Sequence, residues 1–266
     1  MPMSRGYTVT YDGIPSTSLT GFICHEVSRN LVATRRTGFE DVPGMEGSYV
    51  FPEEPGMREI ELDCSVLVDE VNATARRAAV RQVASWFNRP RPKKLIISDE
   101  PDVYEMAIPA SAPDVTEWRQ LGQFPLPFVA EPYSYQIDLQ QHVEVAGAGA
   151  DTFTIDNDGD VWTPFIIQVR AASASTGCHI EVNGRVWEYN ETIASLAYVT
   201  FNTKAGVITN QINYDTDLQG IFLPAQVDMN NAAGRPPYLE PGINEIDVSM
   251  STGAYTVTIL WRGRYS

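Results

Sequence analysis

Two Cys-His dipeptides, Cys24-His25 and Cys178-His179, hold the kinds of ligand that a tetrahedral zinc site uses. Both lie in strand-like runs, where adjacent side chains point to opposite faces. Each dipeptide therefore offers one ligand inward and one outward, and buried thiols beside ordinary histidines are expected, with no metal. Asp156-Asn157-Asp158-Gly159-Asp160 resembles the opening of a calcium loop. Such a loop needs glycine directly after its third ligand and glutamate at its twelfth position. Val161 and Ile167 stand there, so the segment reads as a turn between strands. Glu181 and Glu188 could face each other across a hairpin as a glycosidase carboxylate pair. A chain this acidic brings two surface carboxylates together by chance. Trp162, Trp187, Tyr189, Tyr238 and Trp261 could stack on sugar rings, with Trp162, Trp187 and Tyr189 the candidate glycan-binding residues. Such residues more often fill cores or interfaces. There is no Gly-x-Ser-x-Gly elbow, P-loop, Gly-x-Gly-x-x-Gly or His-Glu-x-x-His, and the three histidines fall in separate segments. No catalytic residue, cofactor or metal is expected, and the chain does not read as an enzyme.

The elements that would position these groups are mostly strands. Tyr7–Tyr11 has strand composition and Asp12-Gly13 marks a turn, with a second strand expected near 19–28. Thr37–Gly56 is rich in Gly, Pro and Glu and reads as a long extended loop; loops of that length are usually functional. Along 58–68, Ile60, Leu62, Cys64 and Val66 alternate with Glu59, Glu61, Asp63 and Ser65, the pattern of a half-buried strand. The spacing of Ala75, Ala79, Val80, Val83, Trp86 and Phe87 predicts a helix over 69–88. Asp69 and Glu70 suit its start, and Pro90 and Pro92 end it. Strands are expected at 94–98 and 104–109. In 120–130 the prolines place a further strand at an edge or bulge.

From about residue 140 the character changes. A linker is expected over 141–151, centred on the small residues of 144–151. Short β-type runs follow at 161–170, 178–189, 196–202, 206–212, 218–223, 243–249 and 254–262. Asn183-Gly184 supplies the positive φ of a tight hairpin turn. Many short strands with regular turns make a sandwich. The expected fold is mainly β in two domains. Residues 1–140 would form a β-sandwich or tube-like domain with one helix, and 152–266 a second sandwich.

Net charge is −15, from 34 acidic and 19 basic residues. A phosphate-binding protein normally carries a positive surplus, so sequence-specific nucleic-acid binding is not expected. No apolar run approaches the roughly 18 residues of a membrane-spanning helix. The N-terminus lacks the basic and apolar segments of a signal peptide, and three cysteines are too few for a disulfide framework, which fits synthesis in a reducing compartment.

The charge is laid out in blocks. Residues 40–70 hold ten acids and one base, Arg58, whereas 76–94 hold seven bases and no acid. The two blocks are either separate solvated faces or complementary surfaces of neighbouring copies. Docking between copies would be head-to-tail, a heterologous contact that can close into a ring. The interface candidates are then Arg76, Arg77 and Arg81 on the basic side. Glu40, Asp41, Glu46, Tyr49, Glu53 and Glu54 stand on the acidic side.

In order along the chain, these landmarks resemble the distal tail (Dit) family of siphophages. Asp41-Val-Pro-Gly-Met-Glu-Gly-Ser-Tyr-Val50 is similar to its Pro-Gly-x-x-Gly loop, with Met45-Glu46 where Arg then Asp would stand. The strand 59–68 leads into the helix that ends Ser85-Trp86-Phe87. Lys94–Tyr104 and Gly122–Tyr133 resemble the later strands of its N-terminal domain. Asn157-Asp-Gly159 with Pro164-Phe-Ile-Ile167, and Tyr238-Leu-Glu-Pro-Gly-Ile-Asn-Glu-Ile246, resemble signatures of its second domain. Residues 203–235 match nothing in the family.

The resemblance implies a homo-hexameric ring at the end of a tail tube. Its N-terminal domains would form the ring, and its C-terminal domain would be a galectin- or carbohydrate-binding-module-like sandwich. The implied partners are the tail-tube (major tail) protein, the tail-tip or tail-associated lysin protein, and a receptor-binding protein. DNA would pass without specific binding, and no membrane insertion is implied. The location would be the virion tail tip, after synthesis in the host cytoplasm. The alternatives are a carbohydrate-binding host-attachment module and a terminal tail-tube protein.

Overall fold

The structure, a computed structural model, describes residues 6–266 apart from 31, 37, 42–45, 47, 51–53, 68–72, 112–115, 118–120, 148, 212–231 and 235. The chain divides into two compact units between Ile137 and Asp138.

The first unit opens with β1 (Val9–Tyr11) and β2 (Ile14–Pro15), joined at Asp12-Gly13, where both residues hold positive φ. Next come β3 (Phe22–Arg29) and four short strands: β4 (Arg35–Arg36), β5 (Phe39–Asp41), β6 (Ser48–Val50) and β7 (Glu54–Pro55). Then follow β8 (Arg58–Leu67), α1 (Ala73–Phe87), β9 (Lys93–Ile97), β10 (Val103–Pro109), β11 (Thr116–Glu117) and β12 (Leu121–Gln136). The main sheet runs β2-β1-β9-β10-β12-β8-β3, with β11 on β12.

Period-2 alternation puts Ile60, Leu62, Cys64 and Val66 of β8 in the core and Glu59 and Glu61 in solvent. α1 covers that core with Ala79, Val83, Trp86 and Phe87, all buried. Aromatic edges meet aromatic faces there. Tyr11 lies 5.8 Å from Trp86 and 5.1 Å from Phe128, and Phe87 lies 5.0 Å from Phe128. Trp86 Nε1 donates to Ile14 O at 3.0 Å, so the indole loses no hydrogen bond on burial. The predicted helix start at 69–72 lies outside the described residues.

Two expectations change here. β12 is a central strand between β10 and β8 despite Pro125 and Pro127. Pro127 O accepts from Ala110 N at 2.9 Å, so these prolines turn their backbone polar atoms away from β8 and remove none of its bonds. Pro132 falls where the β10–β12 register shifts, between the pairs Glu105–Ser134 and Ala107–Ala130. The described residues of 37–56, a stretch read as an extended loop, instead include short paired strands, here called the arm. β4 pairs β7 and β5 pairs β6, and neither pair joins the main sheet. Gly56 N donates to Thr34 O at 2.5 Å and closes its neck.

The second unit is a sandwich of two five-stranded antiparallel sheets. In chain order its strands are β13 (Gln140–Ala146), β14 (Gly149–Asn157), β15 (Phe165–Ala171), β16 (Ser175–Val182) and β17 (Arg185–Ile193). β18 (Tyr198–Asn202), β19 (Val207–Gln211), β20 (Ala232–Gly234), β21 (Gly242–Met250) and β22 (Tyr255–Trp261) complete it. One sheet runs β13-β22-β15-β18-β19, the other β14-β21-β16-β17-β20. Inward Val, Ile, Phe and Trp side chains from both sheets fill the space between them.

The stretch 141–151 is therefore no linker. β13 (Gln140–Ala146) pairs β22 in one sheet and β14, from Gly149, pairs β21 in the other. The turn composition of the small residues concealed these strands. The β16–β17 hairpin turns at Asn183-Gly184, with φ of 49° and 78°. The run expected at 218–223 lies outside the described residues.

Candidate interaction surfaces

The basic block divides when its partners are traced. Arg89 Nε lies 2.8 Å and Lys93 Nζ 3.0 Å from the Asp12 carboxylate, which both cations hold below the usual aspartate range. Lys94 Nζ sits 4.6 Å from the centre of the Tyr104 ring. These three are spent inside the chain. Arg77 and Arg81, one helical turn apart on α1, are exposed and have no ion-pair partner among the described residues. Arg76 lies on the same helix.

The acidic block divides as well. Glu59, Glu61 and Asp63 line the solvent face of β8. On neighbouring β3, Glu26 stands opposite Asp63 and Ser28 opposite Glu61. β12 adds Gln123, whose amide donates to Asp63 at 3.3 Å. This stretch of sheet carries four carboxylates and neither Lys nor Arg. Of the remaining acids, Asp69 and Glu70 lie outside the described residues and the other five belong to the arm. Glu40 and Asp41 lie in β5 and Glu54 in β7, Tyr49 is in β6, and Glu40 and Glu46 are exposed. Glu53 lies outside the described residues. Among the described residues no ion pair joins Arg77 or Arg81 to Glu40 or Glu46.

The glycan candidates do not form a platform. Trp187 and Tyr189 are 2% and 3% exposed, inside the sandwich, where Trp187 meets Phe201 edge-on at 5.5 Å. Trp187 and Tyr189, two residues apart on β17, share its buried face, so both rings are core. Trp162 alone is open, with Arg185 5.1 Å above its ring. The dipeptides also part as the alternation requires. Cys24 is buried opposite Cys64 while His25 bonds Ser65 Oγ at 2.6 Å. Cys178 is buried, and desolvation pushes its thiol up to about 12. His179 faces out, 2.9 Å from Glu188 and 3.8 Å from Glu181. Among the described residues no group of three His, Cys, Asp or Glu side chains could hold a metal ion.

Sequence reasoning missed the cross-strand contact of His179 with Glu188, although the Asn-Gly turn fixes its register. It also missed a buried ion pair between Arg58 and Glu105, 3.9 Å apart. Their partners lie far apart in the chain, and no local spacing announces them.

Residues 21–130 match the family of phage tail proteins with a RIFT-related domain. No curated protein matches the chain. Over 98% of its length it aligns with 99% of the crystal structure of the phage SPP1 Dit protein, a paradigm of the hub adsorption apparatus in phages infecting Gram-positive hosts. The TM-score is 0.72 and the identity 17%, so the two chains share a fold. Chains of the phage p2 baseplate in its activated conformation, with strontium and with calcium, align over 96% of this chain and 98% of their own. Identity there is 13% and the TM-score 0.38.

Proposed function

We propose that this phage tail protein, which has the fold of the SPP1 Dit hub, is the structural hub of the distal tail of a long-tailed phage. Six copies form a ring that joins the tail tube to the tail-tip or tail-associated lysin protein. DNA passes through its bore, and the second sandwich serves as an anchor for a receptor-binding protein. The ring resides at the virion tail tip and acts by assembly, without catalysis.

The observation that carries this reading is the whole-chain correspondence with the SPP1 hub, which includes both units in the same order. The solvent face of β8 supports it. A wall of Glu59, Glu61, Asp63 and Glu26 repels phosphate, which a conduit requires and a DNA-gripping protein does not. Arg77 and Arg81, without an ion-pair partner among the described residues, and the exposed Glu40 and Glu46 suit a heterologous, closing contact. A terminal tube protein would have no need of the second sandwich. A glycan-binding module would need the faces of Trp187 and Tyr189, which are buried.

Light scattering and negative-stain images of the full chain test this reading. A hollow hexamer, alone or once tail partners are added, is expected. A closed two-fold dimer under all conditions would overturn it. Duplex DNA is expected not to bind at physiological salt, and a glycan array probed with the full chain is expected to be blank.

A further inference from the structure

Cys24 on β3 and Cys64 on β8 stand opposite each other across an antiparallel pair. The kind of pair follows from the hydrogen bonds around it. Leu67 N donates to Gly21 O at 2.8 Å, a bond that flanks the pair Phe22–Val66 from outside. Phe22–Val66 is therefore a non-hydrogen-bonded pair. Two residues further along the same unbroken register, Cys24–Cys64 is one as well. Cys24 O agrees, since it turns away from β8 and accepts from Tyr7 N at 2.9 Å. Such pairs hold their Cα atoms about 4.5 Å apart and bring their side chains closest. A disulfide spans about 4.4–6.8 Å between Cα atoms, so the backbone already has the spacing that the bond needs.

The two side chains also point the same way. Both lie in the core of the first unit, Cys24 1% and Cys64 0% exposed. The Cys64 thiol donates to the Cys24 sulfur, which holds Cys24 below the usual thiol range and Cys64 above it. Cys24 is thus the member of the pair that ionises first. Cys178 lies in the core of the other unit. β3 comes last in the strand order of the main sheet, and the β3–β8 register shifts directly after Cys24. A local opening of β3 therefore uncovers Cys24 while β8 stays paired with β12.

We propose that Cys24 and Cys64 close into a cross-strand disulfide when the chain meets a low-molecular-weight disulfide oxidant. In a reducing compartment they stay a dithiol. The Cys24 thiolate attacks one sulfur of the oxidant, breaks its S–S bond and releases the first thiolate. Cys64 then attacks the Cys24 sulfur of this mixed disulfide, forms the intramolecular bond and releases the second. The two cysteine protons end on the two released thiols. The protein loses two electrons and the oxidant gains them. The closed loop contains the whole arm, and its closure restricts the unfolded chain. The proposal stands on sheet register and is independent of the hub reading.

The test incubates the full chain, purified with reductant, with oxidised glutathione at a urea concentration below its unfolding transition. The chain is then unfolded, alkylated and mapped by mass spectrometry. One alkylated cysteine, Cys178, and a linked peptide pair carrying Cys24 and Cys64 are expected. The oxidised chain is expected to melt at least about 5 °C above the reduced one, and dithiothreitol to reverse the shift. Cys24→Ser and Cys64→Ser are each expected to abolish the oxidant-dependent shift. Refolding from urea in a glutathione redox buffer provides a second route that does not depend on access to buried thiols. Three alkylated cysteines by both routes would overturn the proposal. So would glutathione retained on Cys24 or Cys64, a link to Cys178, or a linked chain that melts no higher than the reduced one. None of these readouts depends on ring formation.

Discussion

The Arg58 guanidinium lies 3.9 Å from the Glu105 carboxylate, and each residue is only 5% exposed. The pair stands at the root of the arm. Arg58 opens β8 just after the arm's neck, and its Nη2 donates to Asn30 O at 3.4 Å on the other leg. Arg29, which ends β3, pairs with Asp99 and Glu100 in the β9–β10 turn and lies 3.9 Å from Glu105. The network ties both legs of the arm to that turn.

Removing one member of this pair leaves a buried charge uncompensated. Arg58→Ala is expected to destabilise the chain by about 3–5 kcal/mol, whereas R58M/E105L is expected to be neutral or stabilising. Urea unfolding of the three proteins reads this directly. Equal losses in R58A and R58M/E105L would mean that packing, and not charge, is at stake.

Burial raises the Glu105 carboxyl above the ordinary glutamate value, and this outweighs the opposing pull of Arg58 and Arg29. A folded-state value above the unfolded one means that the native state binds the proton more tightly. Ionised Glu105 therefore weakens the fold fully above its folded pKa, and the penalty is relieved as pH falls from there towards about 4.3. Stability relative to Glu105→Gln is expected to rise over that window on acidification. A constant difference between the two proteins across it would refute the assignment.

Trp187 and Trp162 should respond oppositely to truncation. Trp187→Ala empties the centre of the sandwich and is expected to lose about 3–5 kcal/mol. Trp162, 54% exposed, is a surface residue whose replacement is expected to change stability by within about 0.5 kcal/mol. Thermal unfolding of the two variants makes the comparison.

The basic block is expected to separate into two classes. Arg89→Glu places a carboxylate beside Asp12 and should lower the urea midpoint of the chain. R77E/R81E removes no ion pair found among the described residues and should leave that midpoint unchanged while assembly at low salt falls. Equal effects of the two variants on the midpoint would mean that Arg77 and Arg81 also serve their own subunit.

Several elements were legible without coordinates because their causes are local. Alternation along 58–68 named the buried side of β8. The 3.6-residue spacing of Ala79, Val83, Trp86 and Phe87 gave the face of α1, and Asn183-Gly184 marked its hairpin. Other segments misled for equally physical reasons. Pro125 and Pro127 are strong strand breakers on average, yet they are tolerated where β10 has ended on that side of β12. The small residues of 144–151 made 141–151 read as a linker, although β13 and β14 of two different sheets take up most of it. Trp187 and Tyr189 carry the composition of a sugar platform, but strand parity hides them.

The sequence by itself determined the β-rich class, the core-facing side of the helix that ends at Phe87 and the segregation of opposite charge, because periodicity, turn chemistry and composition act over a few residues. Only the tertiary structure decided which charges are already neutralised. Arg89 and Lys93 meet Asp12 across more than seventy residues, Arg58 and Arg29 reach Glu105, and Arg77 and Arg81 stay exposed with no ion-pair partner among the described residues. Ion pairing and cavity shape depend on which distant strands become neighbours, and no local pattern records that.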